Sequence, residues 1–315
     1  MTICDPNTTF KNINNIGDDY LLNILESNFK MFLDWSFLNI GGWFDVNVDQ
    51  QNLYGGNPHA KLVPVEDPSY PTGQVWQSAR KDWVWESTVS YNNSSPISVS
   101  GVYLNDTLIT DSYFINYPLG QIVLEDPIPT STSVEVNYSY RFVQTYRAND
   151  APWFNVLQFK SYYTDNKDII TKDEGEWSIG GYRRIQMPCI IIESLPRSRS
   201  LPYELGSGGL LLEQDIMFYI LAENKNDRNK LLDILRLQQD SVIYLFDTNK
   251  VASEDKFPLD HNGSVVNNPL YYPNLVDQYK YRKCWFKNVS LVELTSNHPN
   301  LHTGAARLTA EIIFA

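Results

Sequence analysis

The strongest periodicity along the chain lies in "DDYLLNILESNFKMFLDWSFLNIGGW", residues 18–43, where Leu21, Leu25, Phe29, Phe32 and Leu33 recur at helical spacing. That spacing predicts a helix with one wide apolar face, buried against something substantial. Asp18 or Asp19 stands where a carboxylate caps a helix start, and Gly41-Gly42 stands where a helix stops. A second pattern has period two. In "GVYLNDTLITDSYFINYPLGQIVLEDPIPTSTSVEVNYSYR", residues 101–141, apolar and polar positions alternate and turn residues separate the runs. Asn105-Asp106 suits a tight hairpin turn, and Pro118-Leu119-Gly120 suits another. In the last run Val134, Val136, Tyr138, Tyr140 and Phe142 share one face, while Glu135, Asn137, Ser139 and Arg141 share the polar one. The expectation is a meander that buries a single face.

Further on, residues 216–221 read as a strand, "NDRNKLLDILRLQQ" as a capped amphipathic helix, and "SVIYLF" as a second strand. Together they predict a β-α-β unit over 216–246. "KCWFKNVSLVEL" and "ARLTAEIIFA" read as strands, the second with Leu308, Ala310, Ile312 and Phe314 alternating to the chain end. Residues 43–90, rich in Gly, Pro and Asn, read as an irregular excursion, and 247–283 as a long polar loop. A strand near 190–193 is followed by what reads as a turn-rich loop. The fold class expected is α+β: a mixed sheet with packed helices, plus a small antiparallel β-module at about 97–143. Three regions follow: 1–90, a helix and a Trp-rich irregular segment; 91–145, the β-module; and 146–315, an α/β domain.

Composition sharpens this picture in two ways. Twenty tyrosines and eight tryptophans among 315 residues suggest a broad contact surface, since such rings supply rigid, amphipathic area. Trp76, Trp83 and Trp85 lie close together in "GQVWQSARKDWVWES". They read as a core or interface cluster, or as a glycan platform. The net charge of −12 argues against a surface that grips nucleic acid, because phosphate affinity comes from Lys and Arg. An acidic wall would instead let a duplex pass without sticking. Arg183, Arg184, Arg197 and Arg199 form the densest positive run, either a solvated face or a docking patch for an acidic partner. Three widely separated cysteines, Cys4, Cys189 and Cys284, fit neither a disulfide framework nor a metal site and read as reduced structural thiols.

Chemistry is sparse. The chain holds no GxSxG, GxxxxGK[ST] or HExxH pattern, and "GSGG" at 206–209 is followed by no P-loop lysine. His298 and His302 have i,i+4 spacing, but Pro299 between them makes a loop and no third ligand is near. No catalytic residue, cofactor or metal is expected. The chain is expected to act by shape and adhesion, with no deep cleft of converging ionisable side chains.

With those residues in view, "GVYLNDTLI…FINYPLGQIVLEDPIPTSTSVEVNYSYR" resembles the β-module of virion structural proteins of tailed bacteriophages, marine myophages in particular. "FLDWSFLNIGGW" and "GQVWQSARKDWVWES" resemble N-terminal parts of the same proteins, so this likeness covers residues 29–141. "MFYILAENKNDRNKLLDILRLQQDSVIYLFD" is similar in layout to the α/β units of tail-terminator and neck proteins, which stack as rings between head and tail tube. The resemblance implies a virion component made in the host bacterial cytoplasm. Its implied partners are copies of itself and neighbouring virion proteins around the DNA path, with no membrane. A ring position implies that the loops at 50–73 and 247–283 touch adjacent rings. Baseplate or fibre-attachment proteins, and a glycan-binding module, are the alternatives.

Overall fold

The wide apolar stripe near the start of the chain forms α1 (Leu21–Asn39) in the computed structural model, which describes residues 15–49, 53–54, 57–160, 170–173, 176–203, 209–294 and 298–314. Leu25, Phe29, Leu33 and Phe37 are buried along one side, and Gly41 with φ +79° lets the chain turn away. The helix start differs from expectation. Tyr20 is the cap residue and no side chain caps the helix. Asp19 is held through its backbone instead: its N–H donates to Asn249 Oδ1 (2.7 Å) and its carbonyl accepts from Asn249 Nδ2 (2.8 Å).

The next strands are β1 (Trp43–Val46), the short hairpin β2 (Leu53–Tyr54) and β3 (Asn57–Pro58), β4 (Lys61–Pro64) and β5 (Val75–Gln77). The meander follows as β6 (Val102–Leu104), β7 (Thr107–Ile109), β8 (Tyr113–Asn116), β9 (Gln121–Leu124), β10 (Val134–Val136) and β11 (Tyr138–Arg141). Seven of these make one antiparallel sheet in the order β7-β6-β10-β4-β5-β9-β8, while β11 pairs with β1. Thus β4 and β5, from the stretch expected to be irregular, occupy the middle of the sheet and join its two halves. A module confined to 91–145 would lack them. Leu62, Trp76, Val102, Ile122, Val134, Val136 and Tyr138 fill its core.

The turns follow the residue types. Asn105 and Asp106 both take positive φ (+45° and +65°) between β6 and β7. Gly120 has φ +61°, and a Cβ there would lie 2.2 Å from the Arg80 carbonyl oxygen, so only glycine fits this turn.

The second half comprises β12 (Gln144–Arg147), α2 (Pro152–Lys160), β13 (Ile170–Asp173), β14 (Glu176–Ile179), β15 (Tyr182–Ile185), β16 (Cys189–Pro202) and β17 (Leu210–Ala222). After these come α3 (Lys225–Arg236), β18 (Val242–Phe246), α4 (Thr248–Ser253), α5 (Tyr272–Gln278), β19 (Lys280–Glu293) and β20 (His302–Phe314). A six-stranded sheet runs β12-β16-β17-β20-β19-β18. It is mixed, since β12 pairs parallel to β16 and the other neighbours are antiparallel. The helices α1 and α3 share a core with one face, through Phe29, Leu231, Leu235, Phe218, Phe286 and Leu308. At one end of the opposite face, α2 and the β13-β14-β15 sheet cover Cys189, Ile191 and Leu221.

Three expectations need correction here. β17, α3 and β18 are present, with Asn224 capping the helix through Asp227 N–H, but they are no parallel β-α-β unit. β20 and β19 insert between β17 and β18, which therefore run antiparallel at positions three and six of the sheet. The supposed turn-rich loop after Glu193 continues β16 to Pro202. A bulge between Ser194 and Ser198 accommodates Pro196, after which pairing with β17 resumes. Residues 206–208 of the glycine run lie outside the described residues. Finally, much of 247–283 turns inward. It contains α4 and α5, and Gly263 accepts from Tyr117 N–H while Ser264 Oγ donates to the Ile115 carbonyl. This segment staples the first sheet to the second.

Cys189 and Cys284 are buried free thiols; Cys4 lies outside the described residues. Among the described residues, no helix is long and apolar enough to cross a membrane.

Candidate functional site

Where the two sheets meet, α1, the 80–86 loop, β11, β12, β15 and the 257–259 segment surround a cavity of about 680 Å³. Its wall gathers Lys30, Asp34, Lys81, Asp82, Glu86 and Arg141. The sequence pattern predicts no cleft of converging ionisable side chains, and this one counts against a chain that works by shape and adhesion alone.

Each side chain is there for a local reason. Lys30 and Asp34 stand four apart on α1 and pair at 2.7 Å. Thr145 on β12 donates its hydroxyl proton to Asp34 from the other side. Asp82 has φ +53°, a left-handed conformation that aspartate tolerates, and it turns the loop back toward β11. Its carbonyl accepts from the Arg141 N–H (3.2 Å), and its Oδ1 accepts from Arg141 Nε (3.3 Å). Both Glu86 carboxylate oxygens accept from Arg141 Nη2, each at 2.7 Å, and Oε2 also accepts from the Trp85 N–H (3.3 Å). The Arg141 side chain is 4% exposed, yet its Nη1 has no hydrogen-bond partner among the described residues.

The electrostatics follow from burial and neighbours. Burial alone would lower Arg141, but Glu86, Asp82 and Asp34 outweigh it and hold the guanidinium firmly charged. Burial would raise Asp34, but Lys30 and Arg141 overcome it and keep that carboxyl below its usual range. Asp82 has only the longer contact to Arg141, so burial wins and raises it from 3.8 to about 6. For Lys81, burial, with Arg184 nearby, brings the ammonium down from 10.5 to about 8. Lys81 enters none of the ion pairs that Lys30 and Arg141 make.

A pH dependence follows from Asp82. Its folded value lies above its unfolded one, so the folded chain holds the proton more tightly. Stability contributed by this group is therefore present below about pH 4 and is lost as pH rises toward 6. Urea unfolding at pH 5 and pH 7 is expected to show Asp82→Asn gaining roughly 1–3 kcal/mol over the native chain between the two pH values. Equal pH slopes for the two proteins would refute the assignment.

The sequence-stretch candidates are dispersed by the fold. Trp76 and Trp83 are core residues, 1% and 0% exposed, so neither can hold a glycan. Trp83 stacks on Tyr138 with centroids 4.4 Å apart, and its Nε1 donates to the Arg80 carbonyl (3.0 Å). Trp85 alone of the three lines the cavity. The four arginines do not make one patch. Arg183 is on the cavity wall, and Arg184 clamps β15 to the first sheet by donating to the Ser78 (2.7 Å) and Leu119 (3.1 Å) carbonyls. Arg197 and Arg199 sit on the distal half of β16, exposed. Among the described residues, no three metal-type side chains converge.

The chain matches no protein-family model, no curated protein and no solved structure.

Proposed function

We propose that this chain is a structural subunit of a tailed-phage virion, one copy in a ring at the head–tail junction. The supporting observation is the outer edge of β16. β12 pairs only with Cys189–Ile192 and Glu26 of α1 takes the Ser194 N–H (2.8 Å), so among the described residues the strand from Ser198 to Pro202 has no strand neighbour on that side. An unpaired edge is a template for a strand from another chain. Exposed Tyr203, Leu210 and Ile313 lie along the same end of the sheet. Arg197 and Arg199 are exposed on this strand, Arg197 beside Asp215 at 3.8 Å, and they offer cationic contacts to acidic surface of a like copy in a chain of net charge −12. The opposite edge of the sheet, β18, is closed by side chains of its own chain: Asn28 takes both backbone groups of Phe246 and the Tyr272 hydroxyl donates to the Tyr244 carbonyl. The contact is therefore heterologous, the β16 edge of one copy against a different surface of the next, closing by rotation.

The 247–283 segment contacts its own chain through Gly263 and Ser264, which leaves the β16 edge as the surface offered to a neighbour. Mass spectrometry and crosslinking of purified virions test the proposal. Crosslinks from the β16 edge to a second copy, and to portal or tail-tube proteins, are expected. The double reversal Arg197→Glu/Arg199→Glu should leave the fold intact and reduce incorporation at least tenfold. Absence from virions would end the proposal, and crosslinks to fibre proteins would move the position to the baseplate or a fibre attachment.

A further inference from the structure

We infer that the cavity between the two sheets is a binding site for a carboxylated sugar, its carboxylate held by Lys81 and its ring laid against Trp35 and Trp85. Unmet hydrogen-bonding capacity in the wall points to the charge of the ligand. The Arg141 guanidinium is taken up by Glu86 and Asp82. Lys81 and Arg183 also line the wall, and neither has an ion pair among the described residues. Two unengaged cationic donors select an anion.

The rest of the wall narrows the class. Asp34, Asp82 and Glu86 stand on the same wall and repel a dianion such as phosphate. A simple aromatic acid gives these carboxylates nothing to accept. Asp82 bonds Arg141 through Oδ1 only, so its second oxygen can take a hydroxyl proton. A ring that carries one carboxylate and several hydroxyls meets every requirement. Trp35 and Trp85 supply flat surfaces for its C–H face. Tyr271, outside the wall, stacks on Trp85 at 5.6 Å and 10° and lies 5.7 Å from Trp35, holding both indoles in place. This inference stands apart from ring assembly, since the β16 edge contributes no residue to the wall.

Isothermal titration of the full chain tests it with D-glucuronate, D-glucose, benzoate and inorganic phosphate. D-glucuronate is expected to bind, and D-glucose to bind roughly 10- to 100-fold more weakly for lack of the charged contact. Lys81→Met should weaken D-glucuronate by a similar factor without moving the unfolding midpoint downward, because Lys81 leaves no ion-pair partner behind. A readout on the native protein needs no variant. Glu176 on β14, Arg184 on β15 and Asp82 beside it are the charges facing Lys81, and the ammonium loses its proton near pH 8. D-glucuronate affinity should therefore fall as pH rises through about 8. No binding of D-glucuronate, equal binding of D-glucose, tighter binding of benzoate or phosphate, or an unchanged Lys81→Met affinity would each overturn the inference.

Discussion

Arg141→Met is expected to lower the free energy of unfolding by about 3–5 kcal/mol, the usual cost of removing one partner from a buried ion pair. The guanidinium holds both oxygens of Glu86 at 2.7 Å and one of Asp82 at 3.3 Å. Its loss strands a carboxylate that has little water to turn to, since the Glu86 side chain is 6% exposed. The cost comes from the orphaned charge more than from the lost attraction, and that distinction can be measured. Glu86→Gln alone should also destabilise, because a buried guanidinium then lacks its main counter-charge. The double variant Arg141→Met/Glu86→Gln should be less damaged than the sum of the two, with a coupling of roughly 2–3 kcal/mol. Urea denaturation of the four proteins at pH 7 closes the cycle. Additive losses would mean that Arg141 matters for its aliphatic packing alone and that the ion cluster is incidental.

Arg141 also marks where the sequence pattern stops being informative. Alternation through residues 134–142 puts it with Glu135 and Asn137 on the polar face, and that pattern is real: Val134, Val136 and Tyr138 are fully buried opposite them. What alternation cannot register is a second layer. Ser139 and Arg141 are buried too, because α1 and the 80–86 loop, distant in the chain, close over that end of β11. The same limit governs β17 and β18. Each was visible as a local apolar run, but the two strands that separate them come from the far C-terminus, and no local signal carries that pairing. Features set by a few adjacent residues were legible. The positive-φ turn at Asn105-Asp106 and the alternating last strand appear where their residue types put them, and the helix read from Asn226 is present but starts earlier, capped by Asn224.

Polar residues within apolar stripes were the least legible. Asn28 lies in the buried face of α1, and its amide donates to the Phe246 carbonyl (3.0 Å) and accepts from the Phe246 N–H (2.8 Å). It thereby satisfies a backbone that would otherwise be buried and unpaired at the end of β18. Asp34, on the same helix, supplies the cavity. Read as interruptions of a hydrophobic pattern, both look incidental. Read as donors and acceptors that need partners across the fold, they mark where α1 touches β18 and where the cavity lies. The apolar pattern located the helix, and its exceptions located the contacts that matter for the site.

The two neighbouring tryptophans of the 83–85 stretch should respond to substitution in opposite ways. Trp83→Ala is expected to cost about 3–5 kcal/mol, the range for deleting a fully enclosed aromatic side chain. It removes the stack on Tyr138 and the indole bond to the Arg80 carbonyl, and it opens a void beside Gly120, whose turn has no room to collapse inward. The Trp83 loss should appear as a lower urea midpoint with an unchanged slope. Trp85→Ala removes a wall of a solvent-reachable cavity and leaves Tyr271 without its stacking partner. Its cost should stay near 1 kcal/mol, the worth of an aromatic pair beyond its buried area, while D-glucuronate affinity drops several-fold. Measured together, the two variants separate a ring that builds the sheet core from a ring that faces a ligand. Equal destabilisation by both would mean that the cavity is closed in solution and that Trp85 is core as well, which would remove the aromatic wall on which sugar binding depends.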